Sequence, residues 1–177
     1  MRLMPDLKRI IEALLFTHGH PLTVRELADL LPEWSREEVA KAAEELFQEY
    51  EERGVSFKVE RIAGGYQFRS RPEYAQWIRR LKKVRPIKLS RAAMEALAIV
   101  AYRQPVSRGE VEEIRGVDSG WVLGSLMEKG LIKPVGRKEA PGRPLLYGTT
   151  KKFLEVFGLR DLKDLPTLQE IDALKEG

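Results

Sequence analysis

The 177-residue chain carries 31 Lys+Arg, 27 Asp+Glu, two His and no Cys. That leaves room for one large or two small domains and excludes a disulfide scaffold, a thiolate metal site and a cysteine nucleophile. With His18 and His20 as the only histidines, a three-histidine metal centre is excluded too.

No apolar run approaches the ~18 residues of a membrane span, and the first residues lack the apolar core of a signal peptide. The expectation is a soluble protein of a reducing compartment. A net charge of +4 and a pI near 9.3 point weakly to nucleic acid. The charge is unevenly placed: +2 over residues 1–85, +5 over 86–160 and −3 over 161–177. The densest basic run is Arg79, Arg80, Lys82, Lys83, Arg85, Lys88 and Arg91, with no acid among them.

Leu7, Ile10, Ile11, Leu14 and Leu15 fall on one stripe of a first helix that Gly19 and Pro21 end. Thr23-Val-Arg-Glu26 is a capping box opening a helix over 24–31, which Pro32 stops. Ser35-Arg-Glu-Glu38 is a second box. After it Val39, Ala42, Ala43, Leu46, Phe47 and Tyr50 keep helical spacing up to Gly54. The period then becomes two: Val55, Phe57 and Val59 alternate with polar residues, Gly64-Gly65 turns the chain, and Tyr66 and Phe68 alternate on the return. Three helices and a hairpin give the order of a winged helix-turn-helix.

Tyr74, Trp77, Ile78 and Leu81 give a linker helix an apolar face, expected to dock on the first domain while Arg79, Arg80, Lys82 and Lys83 meet water. The order then repeats. Ser90 opens a helix flanked by Leu89 and Met94, with Met94, Leu97, Ala98 and Ala101 as its apolar face. Pro105 precedes the capping box Ser107-Arg-Gly-Glu110. Asp118 or Ser119 caps a third helix over 121–129, and two strands, 132–135 and 145–147, flank a Gly/Pro-rich wing. Phe153, Leu154 and Phe157 suggest a closing helix ended by Gly158. Pro21, Thr23, Glu26, Leu27 and Leu30 match Pro105, Ser107, Glu110, Val111 and Ile114 at one offset of 84 residues, the mark of an internal repeat.

The fold class expected is therefore mainly α with small β wings (α+β), as two tandem winged helix-turn-helix domains. The expected division is 1–71, a basic helical linker 72–88, a second domain 89–160 and an acidic tail 161–177. In the tail, Leu162, Leu165, Leu168, Ile171 and Leu174 could pack, and Thr167-Leu-Gln-Glu170 reads as another capping box.

A DNA-reading winged helix needs Arg, Lys, Asn or Gln on its third helix. The first third helix holds seven acids against three bases and would be repelled by phosphates. The second, around Trp121, Val122, Leu123, Leu126 and Met127, is nearly apolar all round and reads as buried in its own core and a partner. Protein contacts fit better than groove reading. No phosphate loop, nucleophile elbow or metal cluster is present, so neither catalytic nor cofactor-binding nor metal-ligating residues are assigned.

The run Gly136-Arg-Lys, Gly142-Arg-Pro-Leu-Leu-Tyr147-Gly-Thr-Thr150 and Phe153-Leu-Glu-Val-Phe157-Gly-Leu resembles the signature of the segregation and condensation protein B family. So do Ile10-Ile-Glu-Ala-Leu-Leu-Phe16 with Pro21-Leu22-Thr23, and the stretch from Leu97 to Asp118. The resemblance covers roughly residues 7–171. It implies a homodimer formed through the N-terminal domains and a kleisin partner, segregation and condensation protein A, which bridges the heads of the SMC ATPase. It also implies a role in chromosome condensation and partition in the bacterial cytoplasm, at the nucleoid, without enzymatic activity. DNA contact is expected to be indirect or weak, with no membrane contact. The residues assigned to partner binding are Trp121, Arg137, Lys138, Gly142, Arg143, Pro144 and Tyr147. Arg79, Arg80, Lys82 and Lys83 form a candidate basic surface. The competing reading is a winged-helix DNA-binding transcriptional regulator.

Overall fold

A computed structural model describes residues 6–82, 87–167 and 170. The chain divides into two compact units, Met1–Val84 with Gly158–Gly177, and Arg85–Phe157.

In the first unit α1 (Leu7–His18) ends at Gly19, whose φ of 73° is left-handed, a conformation that costs glycine little. A two-residue strand, β1 (Leu22–Thr23), leads into α2 (Val24–Leu30) and then α3 (Arg36–Glu52). Both expected capping boxes form. The Glu26 amide donates to Thr23 Oγ1 at 3.1 Å and the Thr23 amide to Glu26 Oε2 at 2.7 Å; Ser35 and Glu38 exchange bonds of 3.2 and 2.8 Å. Strands β2 (Phe57–Ile62) and β3 (Gly65–Ser70) form the hairpin, and the sheet order is β1-β3-β2, all antiparallel. Ile11, Leu15, Leu27, Val39, Ala43, Leu46 and Val59 form the sealed centre of this unit.

The hairpin turn is one residue earlier than expected. Ile62 pairs with Gly65, so the loop is Ala63-Gly64, with φ of 51° and 74°, the double left-handed pair of a tight hairpin. Gly65 is needed inside the strand instead. A Cβ there would lie 2.5 Å from the Leu22 backbone carbon and oxygen.

Beyond β3 a 3-10 turn, Pro72–Tyr74, runs into α4 (Ala75–Lys82). The tail returns to this unit. The amides of Ala63 and Gly64 donate to the carbonyls of Leu159 and Arg160 at 2.9 and 2.8 Å. A second 3-10 turn, Leu162–Asp164, follows. Its Asp164 is pulled down to about 2 by hydrogen bonds from the Arg160 guanidinium and amide. The Thr167–Glu170 box forms as well. Leu168, Ile171 and Leu174 lie outside the described residues.

The second unit repeats the plan: α5 (Arg91–Arg103), β4 (Val106–Ser107), α6 (Arg108–Arg115), α7 (Gly120–Glu128), β5 (Ile132–Arg137), β6 (Leu145–Thr149) and α8 (Lys151–Phe157). The sheet order β4-β6-β5 reproduces that of the first. Gln104 pins the end of α5 to β6. Its Oε1 accepts from the Thr149 amide at 2.8 Å and its Nε2 donates to Thr149 Oγ1 at 3.0 Å.

One helix face differs from expectation. The side of α5 that packs inward is Ala93, Ala96, Leu97, Val100 and Ala101, while Met94 and Ala98 are exposed. An alanine-rich helix offers several apolar stripes, and packing against α6 and α7 selects among them.

Candidate functional site

Among the described residues no group of three His, Asp or Glu side chains is placed to hold a metal ion, and no helix is long and apolar enough to cross a membrane. The features that stand out lie on the surface of each unit.

The wing of the second unit is a built loop. The Lys138 amide donates to the Pro144 carbonyl at 2.9 Å, closing residues 139–143 between them, and the Arg143 amide donates to the Ala140 carbonyl at 2.9 Å. Gly142 and Arg143 both take left-handed φ, 77° and 41°. The glycine adopts this freely; the arginine does so at a cost of about 1 kcal/mol. Gly142 and Pro144 thus set the loop's shape, and the side chains it presents are those of Arg137 and Arg143, both exposed. Arg137 Nη1 also donates to the Arg143 carbonyl at 3.0 Å.

Lys138 is committed elsewhere. Its Nζ lies 2.7 Å from Glu110 Oε1, while Glu110 Oε2 accepts from the Ser107 amide and hydroxyl at 2.8 and 2.6 Å. This lysine, with the Ser107 hydroxyl and amide, holds the Glu110 carboxyl down at about 2. Lys138 therefore braces the wing against the start of α6 and is not a free cation. Tyr147 is buried. It is a packing residue of β6, so its side chain does not join the exposed set; its position opposite Val106 in the sheet fixes it there.

Trp121 opens α7 and is 79% exposed, while Val122, Leu123 and Leu126 behind it are buried. The turn before it is tied down. Asp118 Oδ1 accepts from the Gly120 amide at 3.1 Å, Arg108 bridges Asp118 and Glu112, and Ser119, fully buried, is held by Arg115 and Glu112 at 2.8 and 2.9 Å. The indole is thus presented to solvent from a fixed turn.

On the first unit α4 is amphipathic, as its spacing demands, but its apolar side does not dock as expected. Trp77 is 54% and Leu81 83% exposed, with Tyr74 exposed too. Spacing defines a face; only tertiary packing decides whether anything covers it. Arg79 and Arg80 are exposed beside it. Lys83 and the side chain of Lys82 lie outside the described residues.

Two features escaped sequence reading. Phe16, 76% exposed, stands edge-on to Phe68, which also meets Phe57 and Tyr50. This aromatic patch unites α1, α3 and both strands of the hairpin. Only the position of Phe16 off the buried stripe of α1 hinted at it. The acids of α3 are also largely engaged. Glu44 accepts from Gln48 and Tyr66 at 3.0 and 3.1 Å and pairs with Arg61, while Glu49 meets Lys8 at 2.9 Å, Arg9 and Arg53. Gln48 leads the contacts that lower the Glu44 carboxyl, and Lys8 those that lower Glu49.

Comparison with known proteins decides the family. The model of the segregation and condensation complex subunit ScpB matches residues 9–168. The chain belongs to that family. It is 53% identical to segregation and condensation protein B of Syntrophotalea carbinolica over 169 residues, 96% of this chain and 85% of that one. It is 50% identical to the protein of the same name from Moorella thermoacetica, covering 97% and 87% of the two chains. Among solved structures, ScpB from Mycobacterium tuberculosis is 35% identical, with a TM-score of 0.40 and coverage of 90% and 99%. A dimer of an ScpB N-terminal domain complexed with an ScpA peptide is 29% identical, with a TM-score of 0.38 and coverage of 42% and 91%.

Proposed function

We propose that the chain is a non-catalytic, dimeric subunit of a bacterial SMC–kleisin complex. It binds the kleisin in the cytoplasm and, through it, acts on the SMC ATPase during chromosome condensation and segregation. The observation that carries this reading is the family match across residues 9–168. The surfaces agree with it. Both units keep large apolar side chains in water, Phe16, Trp77 and Leu81 in the first and Trp121 in the second. A subunit that works by assembly has such unfilled anchors. Dimerisation through the first unit and kleisin capture are what the family resemblance implies, and an ScpB N-terminal domain is itself known as a dimer with an ScpA peptide.

DNA reading by the third helices is disfavoured. The outward side of α3 is acidic, α7 offers Trp121 in place of base-reading polar groups, and Lys138 is spent on Glu110. Size-exclusion chromatography with light scattering, with and without the cognate kleisin, tests the proposal. A dimer that shifts to a larger stoichiometric complex is expected. A strict monomer that ignores the kleisin refutes it.

A further inference from the structure

The start of α5 and the outward side of α7 enclose a groove of about 130 Å³ within the second unit. Leu89, Ala93, Trp121 and Val122 give it an apolar lining and Lys88 and Lys129 a basic one; among the described residues no acid lines it. Lys129 is held by its own helix, its Nζ donating to Ser125 Oγ at 2.8 Å. Glu95 pairs with Arg91 and Arg115 at 3.1 and 3.5 Å and Asp118 with Arg108, while Glu128, next to Lys129 on α7, is exposed. The first turn of α5 adds its own positive end. Ser90 Oγ caps the Ala93 amide at 3.2 Å, and the amides ahead of it favour negative charge.

The geometry points to a docking site for an acidic segment of a partner protein that carries one large apolar side chain. An apolar cavity of about 150 Å³ accepts a benzene ring; this groove, at about 130 Å³, has space for one aliphatic side chain against Leu89, Ala93 and Val122. Carboxylates flanking that side chain meet Lys88, Lys129 and the open end of α5. Charge selects the occupant. Two cations around an apolar floor are too few for a duplex, whose binding rests on about 6–10 phosphate contacts in typical cases, and a phosphate backbone brings no apolar anchor. The inference rests on the proposed function in taking the kleisin as the partner, and it adds the place and chemistry of the contact.

The test uses the full chain and the full-length cognate kleisin, labelled for fluorescence anisotropy, with Trp121→Ala, Lys88→Glu and Lys129→Glu each checked for folding by circular dichroism. Trp121 is 79% exposed, so its loss leaves the fold intact. The expected result is about thirtyfold weaker binding for Trp121→Ala and several-fold weaker binding for each charge reversal, with a flatter salt dependence. Wild-type binding with all three variants within about twofold of it overturns the groove and leaves the proposed function standing. A wild-type chain that does not bind the kleisin at all overturns both. One further result overturns the proposal by naming another occupant: loss of duplex DNA binding in the same variants with kleisin binding unchanged.

Discussion

Gly65→Ala tests how the wing of the first unit is held. The added methyl would lie 2.5 Å from the Leu22 carbon and oxygen and 2.8 Å from the Thr23 nitrogen. These are backbone atoms, and no rotamer moves them aside. Restoring ordinary separation requires β1 to shift by about 1 Å. That strand holds the buried Leu22 and the Thr23 cap of α2. Overpacking costs about 1–3 kcal/mol and a weakened cap about 1, offset by under about 1 from the stiffer unfolded chain, for a net loss of about 2–3 kcal/mol. For a chain of this size the melting temperature should fall by roughly 5–10 °C.

Gly120→Ala is the matched control. Its methyl meets Arg108 Nη1 at 2.7 Å, the free end of a flexible, exposed side chain. Moving it disturbs two surface ion pairs, to Glu112 and Asp118, each worth about 0.2–1 kcal/mol, and alanine suits the helix, so the change stays within about 1 kcal/mol. Differential scanning calorimetry reads both. Gly65→Ala melting within 2 °C of wild type, or Gly120→Ala melting below it, would refute the view that backbone contact decides the cost.

Further expectations concern the wing brace and the core. Glu110 has its carboxyl held at about 2 in the folded chain, below the ordinary 4.5. Its stabilising contribution is full above the ordinary value and is lost as pH falls through about 2. Lys138→Ala should flatten the acid limb of stability between those two pH values, by under about 1 kcal/mol because the pair is partly exposed; urea midpoints at a series of pH values measure it, and an unchanged limb speaks against the brace. Leu126, fully buried in α7, should cost about 2–5 kcal/mol on change to Ala, whereas Trp121→Ala should leave urea unfolding within about 0.5 kcal/mol of wild type.

The parts of the fold legible from sequence were those built by near neighbours. Each capping box couples residues three apart, so Thr23, Ser35, Ser107 and Thr167 cap as their spacing demands. The 84-residue offset joins the Thr23 and Ser107 boxes. It does not extend through the strands, where Thr23 pairs with Gly65 but Ser107 with Leu146, because α7 has 9 residues against the 17 of α3 and the longer second wing only partly makes up the difference. The illegible parts depend on distant residues. Lys138 reads as a wing cation until Glu110, 28 positions away, takes its charge. The apolar side of α4 reads as a docking face, yet nothing in its own spacing supplies a neighbour. Met94 and Ala98 read as core because alanine makes the stripes of α5 nearly equivalent.

The hairpin amides of Ala63 and Gly64 find their acceptors in Leu159 and Arg160, on the far side of the whole second unit in sequence. A nascent chain emerges at about 5–20 residues per second, so those amides stay hydrated for several seconds after the hairpin leaves the ribosome. The second copy of the fold is synthesised in that interval. Two repeats that read as independent in sequence are thus ordered in time: the first to begin folding is the last to be finished.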